Sequence, residues 1–222
     1  MTFADIRWEE KQTALAELRA MNDQLTKLGW FPGSSANLSV RVGSYTPNEF
    51  YFAINSRGED RLSLSAENFV FVDAAGNPCE ATALEPCTET PVHAKIYRMT
   101  GCGAVYHART VFNHVLSDYY SDEGYVPVKG NKLTRDFCTG IVGESEQLRI
   151  PILPNSVDNS SITKHISGGL NLDIPCFLLQ DHGIYVWGKT ALETKHRLDA
   201  FEFILEVLYH SLLLPPKPLT KS

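Results

Sequence analysis

The sequence contains no CxxC pair, and its five cysteines, Cys79, Cys87, Cys102, Cys138 and Cys176, are odd in number. That excludes a cysteine-built zinc finger and a fully paired disulfide framework, and it points to buried or incidental thiols in a reducing compartment. No apolar run is long enough to span a bilayer. The opening stretch MTFADIRWEEKQ is polar and carries no apolar signal region. The expectation is a soluble, cytoplasmic protein. Positive charge is not in excess either. A formal net charge of -6 argues against a nucleic-acid or anionic-membrane partner, though not against a local basic pocket. There is no Walker motif, no GxGxxG and no GxSxG. No repeat, low-complexity tract or linker divides the chain. With 222 residues and 43% hydrophobic content, residues 1–222 read as a single domain with a normal buried core.

What is present is an alternation of helical and strand-like segments. Ile6, Leu15, Leu18, Met21, Leu25 and Leu28 fall on one stripe, which predicts an amphipathic helix from about Asp5 to Leu28, stopped by Gly29. Leu38, Val40 and Val42 alternate with polar neighbours as in a strand, and EFYFAINS and ENFVFVD predict two more. TETPVHAKIYRMT predicts a helix starting at Thr88 or Glu89, with Pro91 in its first turn. GAVYHA, YVPVKG and LRIPILP read as strands, with helical segments at about Val111 to Tyr120 and near NKLTRDF. SSITKHISGGL is a short helix. CFLLQDHGIYVWG reads as two strands hinged at DHG, followed by a long helix capped by Thr190. Strands outnumber the helices that could cross over between them. The fold class expected is α/β, with a mainly antiparallel sheet flanked by helices.

The stretch VYHART, residues 105–110, poses the functional question. Side chains two apart on a strand share a face, so His107 and Arg109 face one space. A second histidine at 109 would make a metal clamp; arginine is always cationic and has no lone pair to offer. His182, in the DHG turn, also ends an apolar strand. Satisfied core histidines are the bland reading of His107 and His182, and metal ligation is the sharper one. Glu89 and His93, four apart, share a helix face. His165, His196 and His210 read as surface or packing residues, and His114 as packing. GSSANLS and INSRGEDR are hydroxyl- and amide-rich loops, the second with Arg57 and Arg61. Loops of this kind can hold an anionic small molecule, though each is also compatible with a plain turn.

Together, LGWFPGSSANLSVRV, TETPVHAKIY, GCGAVYHART, LRIPILPN and LLQDHGIYVWGKTALETKHRLDAFEFIL resemble the class II aldolase/adducin family over nearly the whole chain. The resemblance is closest to the methylthioribulose-1-phosphate dehydratase branch. It implies a three-layer α/β/α fold with a mixed, mainly antiparallel sheet, assembled as a homotetramer with its site near a subunit boundary. It implies a lyase of the methionine-salvage type acting on a phosphorylated keto-sugar, with a sugar-phosphate aldolase or a non-catalytic binding member as alternatives. It also implies a divalent metal, commonly zinc, on three histidines. His107 and His182 match two of these, and Arg109 stands at the third. Glu89 is then the first choice for a third protein ligand or proton-transfer group, with His93 second. The branch's acid/base glutamate falls on Lys132, and no Glu lies between Gly124 and Gly143. Catalytic roles therefore pass to Glu89, Arg109 and Lys132. Substrate and phosphate contacts pass to Ser35, Asn37, Ser39, Asn55, Ser56, Arg57 and Thr88.

Overall fold

The computed structural model describes residues 2–32, 36–57, 68–129, 133, 136, 147–156 and 158–215. Among these residues eight strands form one sheet: β1 (Asn37–Thr46), β2 (Glu49–Asn55), β3 (Phe69–Asp73), β4 (Ala104–Ala108), β5 (Tyr125–Lys129), β6 (Gln147–Leu153), β7 (Cys176–Leu179) and β8 (Gly183–Gly188). Their order is β3-β2-β1-β4-β8-β7-β6-β5. Every neighbouring pair is antiparallel except β6 and β7, which run parallel. The mixed, mainly antiparallel sheet expected from the sequence is the one observed.

Among the described residues, five helices of more than one turn cover the two faces: α1 (Trp8–Lys27), α2 (Thr90–Thr100), α3 (Val111–Tyr119), α4 (Asn159–Gly169) and α5 (Ala191–Leu212). The period-two alternation of the strands divides the core. Leu38, Val40, Tyr106, Ile184 and Val186 face Leu18 and Leu25 of α1 and Leu198, Phe201 and Leu205 of α5. Ile54, Val105, Phe177, Tyr185 and Trp187 face Val92, Ile96 and Tyr97 of α2 and Ile162 and Ile166 of α4. Leu18, Leu25 and Leu198 are fully buried. Each contributes about 1.5–3 kcal/mol relative to exposure. Among the described residues, no helix is long and apolar enough to cross a membrane.

Two sequence expectations shift at the N-terminus. The first helix begins at Trp8 rather than Asp5, because Phe3–Asp5 forms a 3-10 turn held by Thr2 and Asp5. Ile6 then leaves the helical path to pack against Gly43, where an added Cβ would lie 2.9 Å from its Cδ1. Leu28 is exposed at the helix end instead of completing the stripe. The helical reading near NKLTRDF falls largely outside the described residues, of which Leu133 and Asp136 are helical. Cys79 and Cys102 are free thiols.

A buried acid ties the long C-terminal helix to the start of α3. Glu202 of α5 accepts hydrogen bonds from Thr110 Oγ1 at 2.6 Å and Asn113 Nδ2 at 2.8 Å. Burial pushes its carboxyl from an ordinary 4.5 up to about 7, with Thr110 and Asn113 opposing and Glu206 adding to the rise. A folded-state pKa above the unfolded one means the neutral acid favours the folded chain. That contribution is full below pH 4.5 and is lost as pH rises through about 7. Glu202→Gln is expected to flatten this loss, worth roughly 3 kcal/mol at most. Urea melts at several pH values between about 5 and 8 check it, and a variant with the parent's slope would contradict it.

Candidate active site

The site is built on a row that crosses four neighbouring strands. Asn37 of β1 pairs with His107 of β4, His107 with Tyr185 of β8, and Tyr185 with Phe177 of β7. His107, Tyr185 and Phe177 stack in sequence: His107 and Tyr185 have ring centroids 4.2 Å apart, Tyr185 and Phe177 5.0 Å. The N-terminus of α2 brings Glu89 to this row. Glu89 is the N-cap, and Pro91 sits where its missing N–H would find no helical partner anyway. His182 is delivered by the turn between β7 and β8. There Asp181 adopts φ 52°, and its N–H donates to Ser117 Oγ at 3.1 Å. Gly183 is required for a different reason, since a Cβ on it would lie 2.7 Å from His107 Cε1 and 2.6 Å from the Ala108 carbonyl.

The donors converge. One ligand atom from each of Glu89, His107 and His182 lies within 4.8 Å of the others. His107 is completely buried. Its Nδ1–H donates to the Ile184 carbonyl at 3.0 Å, which fixes the tautomer and leaves the lone pair on Nε2. That Nε2 has no hydrogen-bond partner and stands 3.8 Å from Glu89 Oε2. Burial pushes the His107 pKa down to about 3 against the pull of Glu89, so the imidazole is neutral and its lone pair available. A buried, unpartnered imidazole nitrogen beside a second imidazole and a carboxylate fits a divalent cation.

Glu89 is held as an anion. Burial raises its pKa, but the imidazoles and hydrogen bonds around it outweigh burial and hold it well below the usual carboxylate range. With His107 neutral, the hydrogen-bond donors carry this effect at neutral pH. Tyr185 OH donates to Oε2 at 2.6 Å, and Asn37 Nδ2 donates to the same oxygen at 2.5 Å. Oε1 lies 3.3 Å from His182 Nε2 and 3.9 Å from an Arg109 terminal nitrogen. That Arg109 nitrogen is 2.7 Å from Nε2 and 3.1 Å from Nδ1 of His182. Closeness to both ring nitrogens at once places it against the ring rather than along one lone pair. Arg109 thus stands where the sequence predicts it, facing the site beside His107, as a fixed cation instead of a ligand.

Other sequence-derived site residues are distributed differently. Thr88 lines the cavity of about 470 Å³ beside the donors, together with Glu89, Asn155, Ser156, Asn159, Ile162 and His182. Asn37 reaches the site as a partner of Glu89. Ser39, expected as a substrate contact, is buried under α2, with its hydroxyl 2.8 Å from both His93 Nδ1 and Tyr97 OH. Asn55 is also buried, its Oδ1 accepting from the Leu38 N–H, and Ser56 donates to the Asn68 carbonyl. These three shape the fold beneath the site instead of facing the cavity. Arg57 is exposed and pairs with Glu85 at 3.5 Å. Ser35 and Lys132 lie outside the described residues. His93, the second choice as metal ligand, is not part of the donor set: its Nδ1 lies 2.8 Å from the Ser39 hydroxyl, and its buried Nε2 has no hydrogen-bond partner. His114 is half exposed, with its Nε2 2.8 Å from an Asp181 carboxylate oxygen, instead of packed in the core.

Sequence reading missed Tyr185, Asn155, Ser156 and Asn159. Tyr185 is two residues after Gly183, so strand alternation places it on the His107 face. The signal was there, but it becomes legible only when β8 is known to pair with β4. Asn155 and Ser156 follow β6 and Asn159 opens α4, with no motif to mark them.

A mixed sheet between two helical layers, with a carboxylate and two imidazoles gathered at the ends of β4 and β8, defines an enzyme of the class II aldolase type. The model of the class II aldolase and adducin N-terminal domain matches residues 16–209, and the chain belongs to that family. A methylthioribulose-1-phosphate dehydratase of Persephonella marina is 36% identical over 205 residues, covering 92% of this chain and 93% of the relative. The Bacillus subtilis enzyme of the same name is 32% identical over 201 residues, covering 90% and 93%. Among solved structures, L-fuculose-1-phosphate aldolase from Thermus thermophilus superposes with a TM-score of 0.68 at 21% identity, covering 91% of this chain and 97% of that one. A sugar-phosphate aldolase from Thermotoga maritima gives 0.73 at 15% identity, covering 94% and 98%. At those identities the structural likeness speaks for the fold alone.

Proposed function

We propose that this protein is a metal-dependent hydro-lyase that dehydrates 5-methylthioribulose 1-phosphate to the 2,3-diketo phosphate, a step of methionine salvage. The observation that carries this reading is the similarity, along nearly the full length of both chains, to proteins named for that activity. The site chemistry supports it. Glu89, His107 and His182 would hold the cation, with zinc as the first choice, and the bound cation would supply Lewis-acid polarisation of the substrate carbonyl. Glu89 is the proton-transfer group: it removes the proton from the carbon next to the carbonyl and returns it to the neighbouring hydroxyl, which leaves as water. Arg109 opposes the negative charge that builds up on the substrate oxygens. Thr88, Asn155 and Ser156 offer hydrogen bonds to the sugar, and Ile162 an apolar contact. Ser35 and Arg57 remain proposals for the phosphate end, and Lys132 for a catalytic role. A homotetramer in the cytoplasm completes the reading.

The test is turnover of 5-methylthioribulose 1-phosphate by metal-replete protein, alongside a three-histidine relative. Product from both supports the assignment, and product from the relative alone removes it. Arg109 favours a second reading, a family member that binds such a ligand without turnover, and the same assay separates the two. If Arg109 has displaced a ligand, Arg109→His is expected to tighten zinc binding by at least about tenfold in chelator competition. Unchanged or weaker binding would show that Arg109 does not limit the metal site.

A further inference from the structure

Tyr185 has no part in the proton transfer proposed above, yet it touches both halves of the site. It is completely buried, and its ring lies between those of His107 and Phe177, each within 16° of parallel. A phenol buried in an apolar layer is costly unless its hydroxyl has a partner. Here the partner is Glu89 Oε2. Asn37 reaches the same oxygen from the other side of His107 in the same cross-strand row. One carboxylate oxygen therefore receives two short hydrogen bonds from the strands that flank β4. The other oxygen is turned toward His182 and Arg109.

We infer that Tyr185 is a positioning residue: its hydroxyl, together with Asn37, commits Oε2 of Glu89 and leaves Oε1 as the oxygen that meets metal and substrate. A carboxylate held at one oxygen cannot rotate to exchange the two, so the direction of the working lone pairs is set before substrate arrives. The ring performs a separate task, holding the His107 imidazole in plane. Tyr185→Phe separates the two tasks, because it deletes the hydroxyl and keeps the stack.

The test is a double-mutant cycle on zinc affinity, measured by competition with a chromophoric chelator in the full chain. Tyr185→Phe is expected to weaken zinc binding by about 10–100-fold, the usual effect of losing a group that orients a ligand. In a Glu89→Ala background the same change is expected to have less than about a twofold effect, because the hydroxyl acts only through the carboxylate. Equal losses in both backgrounds, or no loss in either, would overturn the inference. If Tyr185→Phe does not fold, Asn37→Ala takes its place in the cycle with the same expectation. Turnover adds a second readout that rests on the proposed function: kcat falls about 10–100-fold while KM stays within about threefold. A parent protein that binds zinc but does not dehydrate the substrate would sink the functional proposal and leave the zinc cycle intact as a test of Tyr185.

Discussion

Replacing His107 by alanine is expected to lower dehydratase turnover by about a thousandfold or more. His107 is the one donor that is wholly buried, with its tautomer fixed by the Ile184 carbonyl and its Nε2 left without a hydrogen-bond partner. Without it, Glu89 and His182 are the remaining members of the donor set, and Arg109 already lies against His182. Lewis-acid stabilisation is worth several kcal/mol in such reactions, and each 1.36 kcal/mol is about a factor of ten in rate. The substitution also leaves a cavity beside Tyr185 and strips the Ile184 carbonyl of its donor. A loss of roughly 2–3 kcal/mol of stability should therefore accompany the kinetic effect. Steady-state kinetics at saturating zinc, with circular dichroism to confirm the fold, read both effects. A folded variant with turnover within tenfold of the parent would place the chemistry elsewhere.

Glu89→Gln is expected to separate proton transfer from metal binding. The amide has a single oxygen, which can face either the metal or the Tyr185 and Asn37 donors but not both, and it cannot take a proton. Positioned acid–base groups contribute about 10²–10⁴-fold, so kcat should fall by that much. The two imidazoles are untouched, and the variant should keep at least about half of the parent's metal, in contrast to His107→Ala. Steady-state kinetics paired with elemental analysis tests both parts. Normal turnover would exclude Glu89 as the base. Metal loss as complete as in His107→Ala would make it chiefly a ligand.

The contrast between fold and site explains what was legible in the sequence. Strand and helix positions could be read because periodicity and caps are local: the alternation of Leu38, Val40 and Val42, and the Thr190 cap whose side chain accepts from the Glu193 N–H. The misreading at Ile6 came from a tertiary contact with Gly43 that overrode a local pattern. Within the site, the shared face of His107 and Arg109 was legible from strand alternation, whereas metal ligation by His107 and His182 was implied by the family resemblance and stands as a proposal. Ser39 and Asn55 were misassigned because a polar residue in a loop-like stretch looks the same whether it faces a ligand or a buried neighbour. Tyr185 was missed for the complementary reason. Its importance depends on strand register with β4 and on a helix terminus nearly a hundred residues away in sequence, neither of which a linear pattern records.

The departure at Arg109 is the point on which the account turns. A guanidinium has no lone pair, and among the described residues the donor set that could hold a metal is Glu89 with His107 and His182. The most direct measurement is metal content per chain in protein purified without a metal-chelating tag, by elemental analysis. Near-stoichiometric zinc, iron or manganese that is lost in His107→Ala is the expected result. A chain that holds no metal even after incubation with excess zinc would contradict it, and would mean that VYHART marks a site turned over to fixed cations.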